Sequence, residues 1–479
     1  MLKTYTIATG NEFTSKAAAQ ILDDGGNAYD AILAALFMSF VSEPLLSSPG
    51  GGGYLLAQSN TNKAQVFDFF AQTPFNKDVV NKDFYPIIGN FGATQQEFHI
   101  GMSSIATPGI PAGIFAIHNQ LGSMALAQIA EPAIKKAREG IEVNAIGAEV
   151  IKILNPILTS SCHANALFSN QQKQLLKEGE ILRNKHLAAF LEGLANNPMD
   201  WFYFDTPAYD IVNDMKHNNG LLTIKDFENY EVCMREPLSL ELNKWKILTN
   251  AQPTTGGKLI TEQLKHAFNS CASSTNQKII EAMIYADKFK NQEAFESSKG
   301  TTHMSVIDAN NNVACMTVSN GEGSGYVVPN SGFMLNNFLG EEDINTKGFF
   351  NFEENTRMAS MMSPTILSNS TDKIALGTGG SNRIKTALFQ VIWHIVVDKQ
   401  TLDQAINTAR FHFENGVLDI EHGINKEEIA GLDLSFDDTV SWVHRSLYFG
   451  GVNVVQHGTK SSAIGDSRRN GFGIVKSYC

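Results

Sequence analysis

Apolar positions along this chain recur first with a helical period. From Ser15 the stretch SKAAAQILDDGGNAYDAILAALFMSFVSEP reads as two successive helices: Gly25 and Gly26 stop the first, Asn27 caps the second and Pro44 ends it. The glycine run Pro49-Gly-Gly-Gly-Gly-Tyr54 punctuates the chain, and the alternating stretches YLLAQ and AQVFDFF after it read as strands. Helical periodicity returns from about Pro111 to Gly193, with stops near Gly122 and Gly140, so the middle is mainly α. Beyond Lys288 the segment FKNQEAFESSKG is polar and reads as a loop. From Thr302 onward, short β-rich segments separated by Asn and Gly clusters take over. No linker, repeat or low-complexity tract marks a border, so the pattern predicts one α/β body whose sheet is partly built by the C-terminal segments.

Composition narrows the function classes. With 479 residues, 43% of them apolar and 18% charged, the chain can bury a sizeable core and is not disordered. The net charge of −12, with no basic block, sets nucleic-acid partners aside. The longest apolar run, Ala31 to Val41, is far short of the ~20 residues of a membrane span and reads as a buried helix. Five scattered cysteines (Cys162, Cys233, Cys271, Cys315, Cys479) without a CxxC pair argue against a disulfide framework and a zinc knuckle. Together with an N-terminus that lacks an apolar h-region, they give the expectation of a cytoplasmic protein without a membrane partner.

The segment that pairs most readily is Thr301 to Asn320, TTHMSVIDANNNVACMTVSN. A turn centred on Ala309, Asn310 and Asn311 makes it a hairpin, opposing Asp308 to Asn312 and Thr301 to Ser319. Directly opposed Cβ atoms lie ~4.5–5.5 Å apart, so two hydroxyls face each other at the open end, either as a plain cross-strand pair or with one orienting the other. The loop Gly377-Thr-Gly-Gly-Ser-Asn382, followed by a helical pattern, can aim backbone N–H groups at a phosphate or a developing oxyanion, or can be a tight turn before a packed helix. As a dinucleotide fingerprint it fails, because Asn382 stands where the third Gly is needed. The Pro49–Tyr54 run lacks the Lys and Ser/Thr of a P-loop and reads as close backbone packing. The segment Asn336 to Asp343 could anchor a substrate amine or form a solvated loop; on its own it reads as the loop. His394, His412 and His422 form neither HExxH nor an i, i+4 pair, so no metal and no cofactor is expected. Paired glycosidase carboxylates and a GxSxG elbow are also absent.

Taken in order, these segments resemble the γ-glutamyltranspeptidase family of N-terminal nucleophile hydrolases. The resemblance spans nearly the whole chain: GGNAYDAILAALFMSFVSEP with SPGGGGY, SSIATPGIPAGIFAIH, TTHMSVIDANNNVACMTVS, SGFMLNNFLGEED, MMSPTILS and GTGGSNRI. It implies an α+β fold, the four-layer αββα sandwich, over residues 1–479. It also implies self-cleavage between Gly300 and Thr301, leaving a large α-rich subunit, 1–300, associated with a small nucleophile subunit, 301–479. The Thr301 hydroxyl would attack an amide carbonyl with its own freed α-amine as base; such an amine has an ordinary pKa of ~7.7–8.0. By the same resemblance Ser319 hydrogen-bonds the nucleophile, and the backbone N–H groups of Gly380 and Ser381 form the oxyanion hole, Ser381 replacing a Gly.

The departures fall on substrate binding. In the stretch Asp68-Phe-Phe-Ala-Gln-Thr-Pro74, Phe70 stands where the family holds the substrate carboxylate with an Arg, and no Arg precedes Arg138. Glu341 matches the acid for the substrate α-amine. Ser360-Met361 replaces a Ser-Ser carboxylate site, and Gly321, next to Asn320, replaces an Asn. The resemblance therefore implies an acyl-enzyme on Thr301 that passes to water or an amine, with glutathione-like γ-glutamyl amides as the default substrate. Phe70 and Met361 leave room for an amidase with another, more apolar acyl group, cephalosporin-acylase-like. An uncleaved, non-catalytic member is the remaining alternative.

Overall fold

The computed structural model describes the chain except residues 1–2, 61, 91–94, 294–299, 346, 426, 428, 430, 433, 435 and 479. Two sheets stack face to face. The first has seven strands in the order Phe472–Tyr478, Lys3–Thr9, Thr301–Ile307, Val313–Ser319, Gly52–Gln58, Gln65–Phe69, Cys233–Arg235. The second has six, in the order Ser462–Ile464, Gly451–His457, Lys373–Gly379, Thr365–Ser368, Trp245–Thr249, Leu238–Leu242. Helices Glu12–Asp23 and Ala28–Ser42 cover the outer face of the first sheet, and Gly256–Asn269 and Arg383–Val396 that of the second. This is the αββα sandwich.

Local chemistry accounts for the elements that reach the site. Asn27 accepts from the backbone N–H groups of Tyr29 (2.8 Å) and Asp30 (3.0 Å), and Asp30 accepts from the Asn27 N–H (2.9 Å), a complete capping box. The helix it starts, Ala28–Ser42, is buried from Ala28 through Val41, as its all-round apolar sequence requires. The glycine run packs closely as expected: a Cβ on Gly51 would lie 2.1 Å from the Ser319 carbonyl oxygen, and one on Gly53 2.7 Å from that of Thr317. The Gly52 strand can therefore lie against Ser319.

Along the central hairpin the pleat separates two cores. Met304, Val306, Met316 and Val318 face the helices of the first layer, whereas Ile307, Val313 and Cys315 face the second sheet. Thr301, His303 and Ser305 share that second face by alternation. Each fully buried Leu, Ile or Phe on either side contributes ~1.5–3 kcal/mol relative to exposure.

Three expectations are corrected. The helix Thr275–Glu293 runs through Phe289 and the polar residues after it, so the stretch read as a loop begins as helix; its residues 294–299 lie outside those described. Polarity alone does not distinguish a helix from a loop. The helical middle is interrupted by the two-strand ribbon Ile141–Glu142 with Ile181–Leu182, and a second ribbon, Tyr85–Asn90 with Gln95–Ile100, precedes it. The Asn336 segment is not a solvated loop. Asn336 is buried and donates to the carbonyls of Gly50 (2.8 Å) and Ala106 (2.9 Å), while Asn337 accepts from the N–H groups of Glu322 (2.8 Å) and Gly323 (3.2 Å). Cys162, Cys233, Cys271 and Cys315 are free thiols; Cys479 lies outside the described residues.

Candidate active site

The hairpin pairs Thr301 with Ser319 directly, the register its turn predicts. Both are buried. The Ser319 hydroxyl donates to the carbonyl oxygen of Gly300 at 2.7 Å and accepts from the Gly321 N–H at 3.0 Å. It therefore sits on the carbonyl of the Gly300–Thr301 peptide and polarises it. Gly300 has φ +41°, and a Cβ there would lie 1.8 Å from the Gly321 carbonyl oxygen, so no other residue fits this bend.

From the second sheet, the loop after Lys373–Gly379 closes on the same peptide. A Cβ on Gly379 would lie 1.9 Å from the Thr301 carbonyl oxygen. Gly380 has φ +124°, and Ser381 adopts the left-handed region at φ +58°, a conformation that costs a non-glycine residue ~1 kcal/mol or more. The helix Arg383–Val396 follows through Asn382, and its Arg383 and Ile384 N–H groups donate to the Gly380 (3.0 Å) and Ser381 (2.9 Å) carbonyls.

His303, two residues from Thr301 on the same face, is held by Thr317 Oγ1 and Ser305 Oγ, each 2.8 Å from a ring nitrogen. Burial pushes its pKa down to about 3, so the ring stays neutral and structural at ordinary pH. Thr302 points the other way and donates to Glu43 Oε1 at 2.9 Å; Thr14 donates to Glu43 Oε2 at 3.4 Å. Burial pushes the Glu43 carboxyl up to about 7, while these two hydroxyls and Arg469 pull it back. Glu43 was not among the residues singled out from sequence, although it is the Glu of the SEP segment that ends the second helix.

A cavity of about 360 Å³ opens beside the peptide. Its walls include Gly300, Thr301, Gly380 and Ser381, along with Glu43, Arg383, Tyr448 and Arg469. The four proposed substrate-binding residues, Phe70, Glu341, Ser360 and Met361, do not line it. Phe70 is fully buried, its ring 5.7 Å from Tyr54 and 4.7 Å from Phe338 between centroids. Ser360 accepts from the Met362 N–H at 3.0 Å, and Met361 Sδ takes the Thr255 hydroxyl at 3.9 Å. Glu341 is buried beside Gly321, whose Cβ would lie 2.5 Å from Oε1.

A guanidinium does reach the Phe70 region, from a residue the sequence did not indicate. Arg357 donates to the Phe70 and Glu231 carbonyls and to Tyr230 Oη (2.6 Å), and its Nε lies 3.5 Å from Asp68 Oδ1. Asp68, fully buried, is also held by Arg235 at 2.7 Å. These contacts commit Arg357 to the protein itself. Among the described residues no group of three or more His, Cys, Asp or Glu side chains could hold a metal.

Known proteins resemble this chain along most of its length. The sequence profile of the γ-glutamyltranspeptidase family matches residues 14–290 and 264–475. A glutathione hydrolase proenzyme of Escherichia coli K12 is 25% identical, over 89% of this chain and 84% of its own. The capsule biosynthesis protein CapD proenzyme of Bacillus anthracis is also 25% identical, over 98% and 90%. In structure, a cephalosporin acylase from Bacillus halodurans superposes with a TM-score of 0.83 over 99% of this chain and 96% of its own, at 18% identity. The chain belongs to the γ-glutamyltranspeptidase family, whose enzymes are hydrolases and transferases of the N-terminal nucleophile type.

Proposed function

We propose that this chain is a precursor that cuts itself between Gly300 and Thr301 and then transfers acyl groups from amides through an ester on Thr301. The observation that carries the reading is the 2.7 Å hydrogen bond from Ser319 to the Gly300 carbonyl, with the Gly379–Ser381 loop closed on the adjoining Thr301 carbonyl. In the uncut chain the Thr301 hydroxyl attacks the Gly300 carbonyl carbon, the acyl group moves from nitrogen to oxygen, and water hydrolyses the ester. The freed α-amine then takes the proton of the Thr301 hydroxyl, and the N–H groups of Gly380 and Ser381 receive the oxyanion of each incoming amide. The acyl-enzyme passes to water or to an amine.

A denaturing gel tests the first step. The full chain is 52.4 kDa, and two fragments of 300 and 179 residues are expected; a single band that persists on storage overturns the precursor reading.

For the acyl group, γ-glutamyl is the family's default. The packing of Phe70 against Tyr54 and Phe338, with Met361 beside Thr255, favours the second reading, an amidase for a different acyl chain. Side-by-side assay of a γ-glutamyl anilide and a glutaryl anilide separates the two. Turnover of the γ-glutamyl compound alone rejects the second reading.

A further inference from the structure

The cavity beside Thr301 is lined by two cations, Arg383 and Arg469, that form no close ion pair among the described residues. Arg469 Nε and Nη2 donate to the Leu447 carbonyl at 3.2 and 3.1 Å, and the Arg383 guanidinium lies 3.9 Å above the Tyr448 ring. Among the described residues no carboxylate oxygen lies within 4.0 Å of either. Arg235, Arg357, Arg410 and Arg468 each have one. The Arg383 Nε is buried and makes no hydrogen bond among the described residues.

Position makes this pair more than two unmatched charges. A Cβ on Gly379 would lie 3.2 Å from Arg469 Nη1, and one on Gly380 3.2 Å from Nη2, so the guanidinium lies against the backbone of the loop that closes on Thr301. Arg383 opens the helix that follows that loop, and the helix N-terminus adds its own partial positive charge. The turn carrying Arg469 is held from behind. Asp466 accepts from the Arg468 N–H (3.0 Å) and from Arg410 (2.7 Å), and Glu421 takes Arg468 through two bonds of 2.7 Å.

Acids also face the cavity: Glu43, Glu142, Glu322 and Glu414. Glu414 is engaged by Lys385 (3.3 Å) and Asn382 (3.1 Å), and Glu43 by Thr302 and Thr14. Burial, followed by the like charge of Arg383, pushes Arg469 down to about 10 against the longer-range attraction of Asp466, Glu43 and Glu149, so it remains a cation at neutral pH, and an anion set between the two arginines would offset the repulsion between them.

We infer that Arg383 and Arg469 form a carboxylate-binding subsite beside the nucleophile, and that the amides processed here carry a free carboxylate on that flank. The inference rests on the reading of Thr301 as nucleophile and deepens it. The carboxylate belongs either to the acyl chain or to the amine, and the two give different substrates: a dicarboxylic monoamide in the first case, an N-acyl amino acid or aminobenzoate in the second.

Three amides separate these sources: butyryl anilide, glutaryl anilide and butyryl 4-aminobenzoate. The readout is the ratio of kcat/KM for each carboxylate-bearing amide to that for the neutral one. Arg469→Gln and Arg383→Gln are each expected to lower one of these ratios about 10- to 100-fold, the size of a lost charge-assisted hydrogen bond. The ratio that falls identifies the half that carries the carboxylate. The Arg→Lys variants, which keep the charge and lose the fork, are expected to fall less, and they stand in if a Gln variant does not fold. Ratios unchanged in all four variants overturn the subsite. A parallel titration of glutarate and glutaramide into the uncut Thr301→Ala chain needs no turnover, so it still reads the subsite if the nucleophile assignment fails. Preference for glutarate that is lost in Arg469→Gln supports the inference, and equal affinity for the two overturns it.

Discussion

Two flanks of the Thr301–Ser319 pair are built on opposite principles. On the side of Asp68, Phe70, Glu341, Ser360 and Met361, the positions by which the chain resembles its family's substrate grip are buried: Phe70 packs against Tyr54 and Phe338, and Arg357 is tied to Asp68, Phe70, Tyr230 and Glu231. On the side of Glu43, Arg383 and Arg469 the wall borders the cavity and carries charged side chains. Between them the Thr301–Ser319 pair meets the glycine loop. If Thr301 acts as proposed, reaction chemistry and substrate recognition are physically separable here: the first would depend on a few backbone contacts fixed by glycines, the second on side chains that differ between the two flanks.

The comparison is broken most completely at its centre. Thr301→Ala is expected to abolish both self-cutting and turnover, read on a gel and with any amide the parent hydrolyses; residual turnover above background would remove Thr301 from its role. Next in size is the buried flank. Phe70→Ala deletes a fully buried ring and should cost about 3–5 kcal/mol in denaturant unfolding. A loss below about 1 kcal/mol would mean that this flank is not the packed core described above.

Ser319→Ala should slow the cut about 10- to 100-fold, because the Gly300 carbonyl loses its 2.7 Å donor. Appearance of the two fragments over time on a gel measures this, and an unchanged rate would reduce Ser319 to a packing residue. The smallest effect belongs to the flank that borders the cavity. Burial raises the Glu43 carboxyl from 4.5 to about 7, so folding favours its protonated form: that contribution is complete below about 4.5 and is lost as pH rises through 7. Glu43→Gln should therefore melt higher than the parent at pH 8 and close to it at pH 4. Equal differences at the two pH values would contradict a buried, titrating Glu43.

What the sequence made legible was short-range. The turn at Ala309–Asn311 fixes which residues of the hairpin oppose, and so brings Thr301 to Ser319 without any knowledge of the rest of the fold. Asn27, with Asp30 three residues on, starts the buried helix by the same local logic. Long-range approach was not legible. Glu43 meets Thr302 across 259 positions of sequence, and Arg357 reaches Tyr230 across 127; no periodicity encodes either meeting. Phe70 was read from its alignment as lining a substrate pocket, but which way an aromatic side chain faces depends on neighbours such as Phe338 that arrive from elsewhere in the chain. Arg383 and Arg469 stood in plain view, one at the start of a helix and one in a C-terminal turn. Only the second sheet's register shows that both border a single cavity.

The bond from Ser319 to Gly300 has a consequence for how this protein can change. With the cut placed as proposed, that hydroxyl is occupied by the bond to be broken until the moment it breaks, and only then becomes available to Thr301. One oxygen atom thus answers to two selections in turn, maturation first and turnover second. A library of variants screened for faster turnover is filtered beforehand for those that still mature, so improvements are to be found away from this hydroxyl, among side chains that meet only the finished enzyme.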